Sequence, residues 1–154
     1  MSTSTAPSTG IRAARPVWLI SVLAGLAAAI ATELYGLAAR AAGVPMAAGN
    51  VGASVPGPIT IGMFAMGTAT AVFWGTILAV LLARYARRPA RAYRWTTVAL
   101  TAVSMAGPCL AGATATATKL MLALAHIIAA AIVIPVVSRR LGHAPHPVRA
   151  VPGR

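Results

Sequence analysis

The run Val17–Arg40, VWLISVLAGLAAAIATELYGLAAR, decides how the chain is read, because it is long enough to cross a bilayer and carries Glu33, the only acidic residue in the protein. Pro16 stands just before it, where a missing N–H costs a helix nothing. At 1.5 Å per residue a helix from Pro16 to Arg40 covers about 37 Å, more than the ~30 Å of hydrocarbon it must cross. A carboxyl is expensive to place in hydrocarbon, so an ionisable group inside such a helix is a functional-site hypothesis. Gly25 and Ala29, like Ala24 and Ala28, also give small-xxx-small spacing that lets another helix approach.

Composition agrees with that first run. Of 154 residues 58% are hydrophobic and only 9% charged, far from the mix of a soluble domain. The formal charge is +12, but the thirteen Lys and Arg residues stand between apolar runs instead of lining one helix face among aromatics. That arrangement argues against a nucleic-acid partner and follows the positive-inside rule. Cys109 is the single cysteine, which excludes an intrachain disulfide, a CxxC pair and a thiolate metal cluster.

Outward from the first helix, residues 41–58 carry no charge and repeat Pro and Gly, the pattern of an external loop. A second apolar helix is predicted over 59–83, with Gly67, Ala71 and Gly75 forming a small-residue seam for helix packing or a homodimer. RYARRPARAYR, residues 84–94, reads as a cytoplasmic loop with five arginines. A third helix is expected over 95–113, with Thr101, Ser104 and Pro108, and a fourth over 120–137 or a turn longer at its start, with His126 and Pro135. Eleven basic residues fall on one side of this scheme and only Arg40 and Lys119 on the other.

The expectation is therefore an all-α integral membrane bundle of four transmembrane helices with cytoplasmic N- and C-termini, multi-pass in the plasma (inner) membrane. The bundle would occupy residues 16–141, between disordered cytoplasmic tails at 1–15 and 142–154. The basic start also fits a signal peptide with an A-x-A site at Ala29 and Ala31, but the apolar run continues past it and is too long for that region. His143 and His146 have no carboxylate or cysteine nearby, so no metal site and no cofactor are expected.

One constellation stands out. Glu33 precedes Arg40 by seven residues and His126 follows Lys119 by seven, so both lie about 10 Å below the outer boundary. If the first and fourth helices are neighbours, a carboxyl and an imidazole can meet there and hold a mobile proton. Tyr35, Arg40, Phe64, Ser104 and Lys119 are the residues expected to surround them as ligand contacts. The alternatives are that Glu33 neutralises a cation and locks two helices without any chemistry, or that it is exposed.

TELYGLAARAAGVP, the Pro-rich outer loop, the arginine-rich turn and TATKLMLALAHIIAAAIVIPVVSRRL together resemble a family of small four-helix actinobacterial membrane proteins described as a domain of unknown function. The resemblance covers roughly 17–141, implies a plasma-membrane protein and supplies no activity. Small multidrug carriers are similar in architecture alone, with a lone glutamate in helix one; here the outer loop is longer and the glutamate lies nearer the outer surface.

Three functions remain open. The first is binding or transport of a small amphiphilic or cationic ligand through Glu33 and His126. The second is an intramembrane enzyme acting on a lipid-like or isoprenoid substrate, of the terpene-cyclase type, with Glu33 as general acid. The third is a non-catalytic assembly subunit. No Walker loop, GxSxG elbow, HExxH or Asp-rich motif is present, and one carboxylate cannot supply a paired-acid mechanism within one subunit.

Overall fold

Residues 15–143 are described by a computed structural model, and the tails expected at either end lie almost entirely outside them. The chain runs α1 Val17–Ala41, β1 Ala47–Ala48, β2 Gly57–Pro58, α2 Met63–Tyr85, α3 Pro89–Ser104, α4 Ala106–Leu110 and α5 Thr116–Gly142. The four long helices form a bundle in which α1 packs most extensively on α2 and α5, and α3 packs on α5.

Helix α1 begins after Pro16, in extended geometry, and stops because Gly43 takes φ +80°, a left-handed conformation that glycine adopts without penalty. The Gly43 N–H then donates to Arg40 O and the Val44 N–H to Ala39 O, each at 3.0 Å. This pair of reversed bonds is a Schellman stop, and Ala39 and Val44 supply its apolar contact in one cluster.

The buried face of α1 is Ser21, Ala24, Gly25, Ala28, Thr32 and Gly36, a stripe at helical spacing made only of small residues. In lipid, helices gain little from burying large apolar groups against each other, so close backbone approach is what holds them. Thr32 and Thr68 share a buried hydroxyl hydrogen bond of 2.9 Å across this seam, and the Phe64 ring sits on Gly36. Large side chains such as Trp18, Leu26, Ile30, Phe73 and Trp74 point outward. Two small cores remain inside: Ala24, Ala79, Tyr93, Val137 and Leu141 near one end, and Ile59, Phe64, Met121 and Ala125 near the other.

The expectation of four transmembrane helices is corrected. Three helices are long and apolar enough to cross a membrane: α1, α2 and α5, with mean hydropathies of 2.0, 1.8 and 2.7. The protein is a multi-spanning membrane protein, but α3 has 16 residues, about 24 Å, and falls short of a ~30 Å core. The reason lies in the arginine stretch read as a loop. Pro89 is well suited to the first helical position and arginine is a good helix former, so α3 starts at Pro89 and takes Arg91 and Arg94 into the helix. The cytoplasmic placement of both termini rested on four spans and is withdrawn with them.

The bundle still has two unlike ends. Arg15, Arg84, Arg87, Arg88, Arg91, Arg94, Arg139 and Arg140 gather at the end where α1 and α3 begin and α2 and α5 finish. The Arg140 Nε there donates to Arg15 O at 2.7 Å. At the opposite end β1 and β2 pair antiparallel and the hairpin is tied to the link before α5. Gly49 N–H donates to Thr114 Oγ1 at 2.9 Å, Gly112 N–H to Asn50 O at 3.0 Å and Thr118 Oγ1 to Pro45 O at 2.5 Å.

The seam expected on α2 is divided. Gly67 and Ala71 are exposed, with no atom near where a Gly67 Cβ would stand, whereas Gly75 turns toward Tyr93. The two glycines Gly36 and Gly67 should therefore respond differently to one added methyl. A Cβ on Gly36 would fall 2.7 Å from the Phe64 ring. Gly36→Ala should destabilise the protein by about 1–3 kcal/mol while Gly67→Ala leaves it unchanged or slightly more stable, measured by thermal unfolding in detergent. Equal responses would contradict the packing described for α1.

Candidate functional site

Helix α2 begins without a cap of its own. Gly62 precedes it at φ +91° and offers no side chain, so the first amides of α2 must find acceptors elsewhere. Glu33 supplies them from α1: Gly62 N–H donates to Oε1 at 2.7 Å and Ala65 N–H to Oε2 at 3.0 Å. The carboxylate also lies at the positive end of the α2 dipole, where negative charge is favourable. Two turns further along α1, Arg40 Nη2 donates to Ile59 O at 2.8 Å. The sole acid and the arginine after it thus hold residues 59–65, the entry to α2, from both sides.

Glu33 and His126 are engaged separately. His126 Nδ1 is 2.8 Å from Leu122 O on its own helix. It lines a small outer cavity of about 290 Å³ with Ser104, Asn50 and Pro108, beneath the hairpin. Tyr35 and Phe64 pack in the outer core with Met121 and Ala125, on the Glu33 side. Lys119 Nζ donates to Cys109 O at 3.3 Å in an exposed position. The seven residues selected from the sequence therefore fall into two groups, Glu33, Tyr35, Arg40 and Phe64 around the start of α2, and Ser104 and His126 around the outer cavity, with Lys119 apart. Among the described residues no three of His, Cys, Asp and Glu stand together as a metal site would require.

A larger cavity lies elsewhere. Along the crease between α3 and α5 a space of about 720 Å³ is walled by Val98, Ala102, Ile127, Ala131 and Ile134, among others, and is bordered at one end by Arg94 and Arg139. Val98, Ala102, Ile127 and Ala131 are exposed, so the cavity opens sideways, toward lipid. Its two hydroxyls are already committed: Thr101 donates to Thr97 O at 2.8 Å and Ser138 to Pro135 O at 3.3 Å. Pro135 has no N–H to give the carbonyl of Ala131, so the α5 ladder lacks one rung along this wall. Glu33 lines neither cavity. In the sequence Arg94 and Arg139 are topology signals alone, because nothing in a linear count shows that two helices bring them to one opening.

A family model described as a family of unknown function (DUF6069) matches residues 12–143. No curated protein and no solved structure matches the chain.

The geometry of Glu33 has a direct consequence. A glutamine can offer only one carbonyl oxygen, and its amide N–H₂ would confront a backbone N–H. Glu33→Gln should cost about 1 kcal/mol of stability, from the loss of one charge-assisted bond at a part-buried or exposed donor, as read from thermal unfolding in detergent. A variant as stable as the wild type would show that these two bonds do not hold α2.

Proposed function

Since the chain belongs to the DUF6069 family, we propose that it is a multi-spanning plasma-membrane protein that binds an amphiphilic membrane component in the lateral cavity between α3 and α5. The observation that carries this reading is the cavity itself: about 720 Å³, apolar along its length, and among the described residues charged only at one end, by Arg94 and Arg139. Binding cavities of such volume are concave and mostly apolar with a few placed polar groups, and this one shares its open side with the bilayer. The arginine-rich end of the bundle supports placement of that end at the inner leaflet of the plasma membrane.

Of the ligand classes expected from the sequence, the amphiphilic one fits and the cationic one finds no anionic wall. Proton-coupled transport or general-acid chemistry at Glu33 would need the carboxyl to exchange protons with a ligand. Both its oxygens accept backbone N–H groups, which favours a structural role. A homodimer through the exposed Gly67 and Ala71 would leave this cavity open, since neither residue lines it.

The test is to fill the cavity. Ala102→Phe with Ala131→Trp, both at exposed lining positions, should reduce by several-fold the immobilised spectral component of a chain-spin-labelled fatty acid in reconstituted vesicles. Leu26→Trp, on the outer face of α1, should leave it unchanged. An immobilised component that persists in the filled variant overturns the reading.

A further inference from the structure

We infer that the ligand of the α3–α5 cavity is an anionic phospholipid, its phosphate held between Arg94 and Arg139 and one acyl chain laid along the apolar wall. This deepens the cavity reading and rests on it. The two arginines come from different helices. Arg94 stands five residues after the start of α3 and Arg139 three before the end of α5, so both sit about 5–8 Å inside the basic end of the bundle. That is the depth of headgroups at a membrane surface, not of bulk water.

From Arg94 to Met105 on α3, and from Arg139 to Ile127 on α5, the lined length is about 17 Å. One leaflet contributes about 15 Å to the hydrocarbon core, so a single chain anchored at the arginines reaches the far end of the groove. Selection along the wall is limited to shape, because the Thr101 and Ser138 hydroxyls already donate to backbone carbonyls. The headgroup is left to the guanidinium groups. Arginine presents parallel N–H donors that match two phosphate oxygens at once, and a net negative headgroup adds attraction that a zwitterionic one offsets with its own ammonium.

The other arginines at this end test whether the cavity or the general charge is responsible. Arg87 and Arg88 lie in the link between α2 and α3 and do not line the cavity. Chain-spin-labelled phosphatidylglycerol and phosphatidylcholine are compared in phosphatidylcholine vesicles holding the full-length protein. The wild type should immobilise the anionic probe in clear preference, and each of Arg94→Gln and Arg139→Gln should lower that preference about fivefold. The double variant should show none, while Arg87→Gln with Arg88→Gln keeps it. Arg94→Lys with Arg139→Lys should retain part of it, which separates lost charge from lost folding. Soluble glycerol phosphate should not compete.

Equal immobilisation of both probes by the wild type overturns this inference alone. So does a preference that survives in the double glutamine variant, or that glycerol phosphate abolishes. Absence of any immobilised component, with either probe, overturns the cavity reading beneath it.

Discussion

The fold depends on a carboxylate on one helix serving the open end of another. An α-helix leaves its first amides without intrahelical partners, and a part-buried one such as Ala65 N–H is costly to leave without an acceptor. Gly62 brings no cap, and Glu33 closes that gap with two hydrogen bonds from α1. The same contact answers why a lone acid is tolerated in this chain. Among the described residues its partners are two backbone amides at a helix start, and neither a cation nor an imidazole.

With α2 fixed in register on α1, the small stripe Ala24, Gly25, Ala28, Thr32 and Gly36 can bring the two backbones close, and the Thr32–Thr68 bond closes about one turn beyond the first turn of α2. The economy of the interior follows from lipid as solvent. Bulky residues lose nothing by facing acyl chains, so Trp18, Phe73, Trp74 and Trp95 stay outside and glycine, alanine and threonine form the contacts. Helix α3 is the exception. It is short, carries arginines in its first half and leans chiefly on α5, and the crease between those two helices is where the lateral cavity opens.

Much of the architecture was legible because hydrophobic length is a strong signal. The first helix was placed within one residue of Val17–Ala41, and Arg40 and Lys119 do mark the end opposite the arginine cluster. The third helix starts earlier than the charge pattern predicts, because Pro89 followed by Ala and Arg is a sound helix start despite the arginines around it. The partner of Glu33 was not legible in residue types at all, since backbone N–H groups leave no letter in a sequence. Nor does the sequence mark where the cap is missing: the second apolar run opens Ile-Thr-Ile-Gly at residue 59, with Thr60 at its start, whereas the helix begins after Gly62. The α3–α5 cavity depends on two residues 45 apart in sequence, Arg94 and Arg139, and only the packing of the helices joins them.

Glu33 organises the bundle by holding the first turn of α2. Hydrogen exchange resolved along the chain tests it most directly, comparing the wild type with Glu33→Gln in the same detergent or nanodisc. Exchange in the variant should be faster only over residues 59–66, with α3 and α5 unchanged. Unaltered protection at Gly62 and Ala65, or acceleration appearing first around His126, would contradict it.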